Sequence, residues 1–200
     1  MATIIKNQRS RTLEVLSKIN VSLEEYLGID DNQRLATPRY MIRMDSLLSS
    51  QVENFNDAIQ LYEYDLDMSR TTDSNIGDTK QASGRVEFSN PVIFISNVTF
   101  TPTLTQRLID GIIIEKIEFI RLQNIEKKNQ PAETITFKNC YFQAIALRKT
   151  ILVGDFRFSE YSHWLSSISQ DGKNNGNLAA SYNLVTGNSD VSSGGDGEEA

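Results

Sequence analysis

His163 is the only histidine of the chain and Cys140 its only cysteine, so nucleophilic or metal chemistry would have to be built around one of each. A histidine acting as a general base needs a serine or cysteine within hydrogen-bond reach and a third group to orient it. His163 has Ser162 and Trp164 beside it, but the chain contains no G-x-S-x-G elbow. It is read as a structural or surface residue. Glu63, Asp65 and Asp67 alternate along one predicted strand, which puts them on one face about 7 Å apart. Such a row suits paired carboxylates or a hard cation, yet no second group of ligands accompanies it, and it reads as a solvated strand face. Asp171, Asn175 and Gly176 imitate part of a calcium loop, but Lys173 takes a ligand position and Tyr182 stands where a bidentate Glu is needed, so turn chemistry is the better account. Gly84 and Gly111 are isolated and form no phosphate-cradling loop. Phe137, Tyr141, Phe142, Phe156, Phe158 and Trp164 could stack bases, but without interleaved basic residues they read as core. No catalytic, cofactor-binding or metal-ligating residue is assigned, no cofactor is expected, and the chain is read as a non-enzyme.

Composition narrows the classes further. The chain has 200 residues, 39% hydrophobic and 23% charged, with a net charge of -6. That length supports one ordinary domain with appendages. A single cysteine excludes an intrachain disulfide and a zinc cluster, and points to synthesis in a reducing compartment. Asp190, Asp196, Glu198 and Glu199 concentrate acid in the tail, leaving a nearly neutral body. A nearly neutral body lacks the clustered basic face that nucleic acid or an anionic membrane requires, so neither is expected as a partner. Residues 1–12 carry Lys6, Arg9 and Arg11 without an apolar run of signal-peptide length, and no later stretch approaches about 20 apolar residues. The expectation is a cytoplasmic protein that leaves the cell, if at all, without a signal peptide.

Three regions must hold these residues. Residues 1–36 read as a helical N-terminal extension, with Leu13, Leu16, Ile19 or Asn20, Leu23, and Tyr26 or Leu27 at helical steps; Ser22 and Glu25 resemble a capping box and Gly28 a stop. Leu13, Leu16 and Leu23 form a docking stripe, because short amphipathic helices are marginal alone and must cover something, either their own body or a neighbouring subunit. Over 37–187 the apolar period changes to two, with strands expected at 39–45, 58–68, 84–89, 91–97, 113–122, 133–147, 151–158 and 180–186. One helix interrupts them at about 101–110: Thr101 as cap, Pro102 in the first turn, Gly111 as stop, and Leu104, Leu108 and Ile109 as its buried stripe. The expected class is mainly β, an antiparallel β-barrel of two packed sheets with one short α-helix. Residues 188–200, rich in Gly, Ser and acid, read as a disordered tail.

The order of these elements resembles the haemolysin-coregulated protein (Hcp) family of type VI secretion tubes, related in fold to the tail-tube proteins of contractile phages. PRYMIRMDSL resembles the family's opening strand, NDAIQLYEYDLDMSR its acidic-hydrophobic strand, and ASGRVEFSNPVIF the strand after it. NVTFTPTLTQRLIDGIIIEKIEFIRL is similar to the family's strand, Thr-Pro helix, Gly and strand. ETITFKNCYFQAIAL, ILVGDFRFSEYSHW and DGKNNGNLAASYNLVTGN resemble the remaining strands and the closing loop. Phe100 stands where the family has an acid, Tyr182 where it often has Trp, and the segment before Pro38 is foreign to it. The resemblance implies hexameric rings that stack into a hollow tube and carry small effectors, with the chain itself, sheath, spike and baseplate proteins as partners. It also implies a protruding ring-stacking loop between residues 69 and 83, containing Arg70, Thr71, Asp73, Ile76 and Asp78. A tail-tube subunit of a phage-like particle and a monomeric β-barrel ligand carrier are the competing expectations.

Overall fold

A computed structural model describes residues 11–28, 39–45, 57–70, 86–96, 101–125, 128–168 and 174–194. Two short helices come first, α1 (Arg11–Lys18) and α2 (Leu23–Tyr26), followed by strands β1 (Tyr40–Met44), β2 (Ala58–Asp65), β3 (Met68–Arg70), β4 (Val86–Phe88) and β5 (Val92–Ser96). Helix α3 (Thr101–Asp110) leads into β6 (Ile114–Ile125), β7 (Lys128–Arg148), β8 (Ile151–Arg157), β9 (Glu160–Ile168), β10 (Asn174–Asn183) and β11 (Ser189–Gly194). The chain is mainly β, as its period-two pattern requires.

The strands pair antiparallel in the order β11-β10-β9-β7-β6-β1-β2-β5-β8, with a further pairing of β7 to β8 and a separate β3-β4 ribbon. The expected barrel takes the form of two packed sheets that share strands: the ladders β7-β6-β1-β2-β5-β8 lead back to β7 through the β7–β8 pairing, and β7 and β2 change layer part-way along. β7 pairs with β6 through residues 128–140 and with β9 through 133–138, and then with β8 through 141–148. β2 pairs with β1 through Ala58, Ile59 and Gln60, then shifts register and pairs with β5 up to Asp65. Bulges and left-handed residues are the devices that let a strand turn a sheet corner. Asn139 supplies one in β7 with φ of 51°, a conformation asparagine tolerates better than most residues. The result is two packed sheets joined at switching strands.

Between the sheets lies an aromatic core. Phe137 is fully buried, with ring centroids of Phe119, Phe156, Phe158 and Tyr161 at 5.0, 5.3, 4.9 and 5.8 Å. Most of these rings are edge-on or tilted, the arrangement their quadrupoles favour. Ile42, Ile93, Ile117 and Leu152 fill the spaces around them, and Gly154 leaves room for Phe142, since a Cβ there would meet its ring at 3.0 Å. Of the aromatics read as core, Phe137, Phe142 and Phe156 are buried, whereas Tyr141 faces solvent.

Helix α3 ends as its sequence dictates. Gly111 has φ of 64°, and the amides of Gly111 and Ile112 reach back to the carbonyls of Leu108 and Arg107. Leu104 is buried and Leu108 partly so, but Ile109 is 71% exposed, which corrects the expected stripe. At the other end, Thr101 is already helical and buried, so it begins the helix. The tail is corrected as well: Ser189–Gly194 is paired along β10 as strand β11, since a ladder of backbone hydrogen bonds orders a segment too polar to bury itself. Residues 195–200 lie outside the described residues.

Phe137→Ala is expected to cost about 3–5 kcal/mol of stability, read from the urea midpoint, because it opens a cavity among four other rings. Asn139→Gly should be nearly neutral, whereas Asn139→Val should cost more than about 1 kcal/mol in the same assay through strain at positive φ.

Candidate interaction surfaces

The N-terminal helices lie on the outer side of the β5-β8 sheet. β5 and β8 are buried on both faces: Ile93, Ile95, Leu152 and Phe156 point into the aromatic core, while Val92, Phe94, Ile151 and Val153 form a second cluster. Val15 is buried there, joined by Leu16, Ile19, Leu23, Leu27 and Tyr62. Of the expected stripe, Leu16 and Leu23 take part, but Leu13 is about half exposed. The stripe runs through Thr12, Val15, Leu16 and Ile19. Apolarity alone selected Leu13, whereas Thr12 is buried because its polar atoms are partnered.

The partner of Thr12 is Asp155, a fully buried carboxylate in β8. Its Oδ2 accepts the Thr12 amide at 2.9 Å and the Thr12 hydroxyl at 2.8 Å, and Asn90 donates to Oδ1 at 3.4 Å. A carboxylate at a helix N-terminus satisfies an amide the helix cannot, and meets the positive end of its dipole. A buried charge without such donors would be costly, so Asp155 and α1 require one another. The sequence signal was available, since an acid stood inside the apolar run ILVGDFRF. Ser22 caps α2, accepting the Glu25 amide at 3.2 Å, which realises half of the expected capping box.

Two members of the acidic row, Asp65 at the end of β2 and Asp67 just beyond it, find a cation in α1. Arg11 Nη2 donates to Asp65 at 2.9 Å and to Asp67 at 2.5 Å. Burial opposes the Arg11 charge, but bonds to both carboxylates outweigh it and raise its pKa. Glu63 stays apart, its carboxylate accepting the Tyr64 amide. Among the described residues no group of three or more His, Cys, Asp or Glu is placed to hold a metal.

His163 meets an acid and no nucleophile among its described partners. Its Nε2 lies 2.7 Å from Glu133, which also accepts from Arg121 Nε at 2.7 Å. These side chains come from β9, β7 and β6, on the face that carries Phe119 and Ile135. Burial pushes the Glu133 carboxyl up, but the Arg121 and His163 bonds pull it further down, so its pKa is below the ordinary carboxylate value. Cys140 is fully buried and its thiol is pushed up to about 12 by burial, which leaves no thiolate near neutral pH.

The ring-stacking segment is reached only at its base. Arg70 ends β3, exposed and paired in register with Val86 of β4, while Thr71, Asp73, Ile76 and Asp78 lie outside the described residues. Asp171 and Lys173 of the calcium-like stretch do so too. The ribbon that carries this base is held by Phe88, with ring centroids of Phe158, Tyr161 and Tyr182 at 5.5, 5.2 and 5.6 Å.

Asp155→Ala should loosen α1 alone. It removes the acceptor of two bonds worth about 1.5–3 kcal/mol each to a charged group, so amides of residues 12–18 should exchange faster while those of β7 keep their protection. Glu133→Gln tests the pH linkage. A carboxyl with depressed folded-state pKa adds stability above its unfolded value and loses it as pH falls through the folded value, so the variant should show a flatter loss of thermal midpoint below about pH 4.5.

No family model matches the chain, and no curated protein does. Solved structures do match. One described as a type six secretion system protein superposes with a TM-score of 0.67 at 13% identity, covering 77% of this chain and 100% of its own. Hcp1 from Salmonella typhimurium gives a TM-score of 0.57 at 10% identity, over 76% and 97%. A mutant form of Hcp1 from E. coli EAEC 042 gives 0.57 at 12%, over 74% and 99%. With the two-sheet order, the inserted helix α3 and the bent β7 already established, the chain has the fold of the type VI secretion Hcp proteins.

Proposed function

We propose that the chain is a structural subunit of a type VI inner tube, assembling as hexameric rings that stack and carry small effectors through the lumen. The observation that carries this reading is the fold itself, matched over three quarters of this chain and the whole of a type six secretion system protein. The described side chains are consistent with a non-catalytic role, since His163 is bound to Glu133 and Cys140 is buried with its thiol protonated. A ring of such subunits needs heterologous contacts that close by rotation, and an open strand edge such as β11 is a surface that copies can complete. Its partners are further copies of itself, with sheath, spike and baseplate proteins around them, and no nucleic acid or membrane. Synthesis is cytoplasmic and export runs through the apparatus without a signal peptide. The segment between β3 and β4, from Arg70 through Thr71, Asp73, Ile76 and Asp78, mediates stacking of one ring on the next.

Negative-stain microscopy of the purified full-length chain should show annular particles, and deletion of residues 71–80 should leave single rings that no longer stack. A uniform monomer by mass photometry at micromolar concentration would overturn the tube reading and favour a ligand-carrying module. Stacks that persist after the deletion would overturn the stacking role alone.

A further inference from the structure

The face of the sheet that carries the core does not stop where the second layer stops. Residues opposite one another in register share a face. Ile135, His163, Ala180 and Val191 therefore form one row from β7 to β11, and Leu165 and Leu178 stand beside it. At the β7 end this face is core, with Ile135 buried. At the far end Leu178 is 54% exposed and Val191 69%. β9, β10 and β11 thus make a wing whose core-type face is covered at one end, where Phe88 packs on Tyr161 and Tyr182, and exposed further along at Leu178 and Val191.

A second apolar patch stands at the corner between α3 and β6. Ile109, Ile112 and Ile113 surround Gly111 and are 71%, 45% and 54% exposed. The turn that presents them is fixed by the Gly111 and Ile112 amides on the helix carbonyls, and Arg107 reaches the Ile113 carbonyl. The two patches are well separated. The strand after the corner begins with Ile114 opposite Cys140, whereas Leu165 stands opposite Glu133, seven residues away along β7, or about 23 Å.

The geometry points to a heterologous contact between copies, in which the Ile109, Ile112 and Ile113 corner of one chain seats on the Leu165, Leu178 and Val191 face of the next. This inference rests on the tube reading and names the surfaces that would close its ring. A second copy is the occupant that the chain's own surface supports. One patch is the exposed part of a pleated apolar face, the other a convex exposed apolar corner, and they are distinct, so each copy can give one and receive the other. Size points the same way. Three strands span about 14 Å, and six residues of strand about 20 Å, so the wing offers about 280 Å² of face. That is small beside the roughly 800 Å² per partner of a stable pair. Two copies joined once would separate, and closure, which uses both patches on every copy, makes the assembly persist.

The test uses the full-length chain and a disulfide. Ile112→Cys combined with Leu178→Cys, oxidised after assembly, should give a ladder of covalent multimers ending at the ring number, while either single variant gives none; native Cys140 is buried and stays silent. Ile112→Asp and Leu178→Asp, both at exposed positions, should each lower the ring fraction at least about tenfold by mass photometry with an unchanged circular dichroism spectrum. Rings that survive both Asp substitutions, or covalent dimers from Leu178→Cys alone, would overturn this contact and leave the tube reading standing. A wild-type chain that never forms rings would remove both.

Discussion

A strand of 21 residues, about 70 Å if extended, cannot remain in one layer of a small two-sheet body. β7 meets this constraint by bending at Asn139, and the rest of the architecture follows from that bend. Before it, the strand is the centre of one sheet, with β6 on one side and β9 on the other. After it, the strand is the partner of β8 in the second sheet. Phe137 and Phe142 stand on either side of the bend and reach the same core, with Phe156 as a common neighbour. A single backbone conformation thus fixes which sheet each neighbour joins and where the aromatic cluster closes.

The two outer faces of this body are treated differently. Over β5 and β8 the apolar face is covered by the chain's own N-terminal helices, which polar contacts hold in place: Asp155 on the Thr12 amide and hydroxyl, and Asp65 and Asp67 on Arg11. Helices of eight and four residues have little stability of their own, so this segment is ordered by the surface it covers. Over β9, β10 and β11 the apolar face is covered only where Phe88 meets Tyr161 and Tyr182, and Leu178 and Val191 stay exposed. The difference separates a surface covered within the chain from one that a second copy would cover in the proposed contact.

The residue types best suited to chemistry are occupied in holding strands together. His163 and Arg121 share the Glu133 carboxylate across three strands, a link that needs no substrate to explain it. Cys140 sits among apolar side chains that keep its thiol protonated. The Glu63, Asp65 and Asp67 row is a cation site only in the sense that a guanidinium fills part of it.

The sequence by itself determined the periods, and with them the element types. Alternation placed Ile117 and Phe119 inward against Lys116 and Glu118, Gly111 stopped α3, and the order of segments pointed to the tube fold, because local conformation is governed by local side-chain chemistry. What it could not decide was which distant groups meet. Leu13 fits the apolar stripe, yet its neighbour Thr12 is the buried residue, because Asp155, 143 residues away, partners its polar atoms. Ile109 matched the helical stripe, yet it lies outside the contact because only the placement of α3 on the sheet selects its buried side. The change of layer within β7 and β2, and the pairing of a Gly- and Ser-rich tail as β11, rest on hydrogen bonds to strands remote in sequence. Such bonds depend on where the partner strand lies in space, which no local pattern encodes.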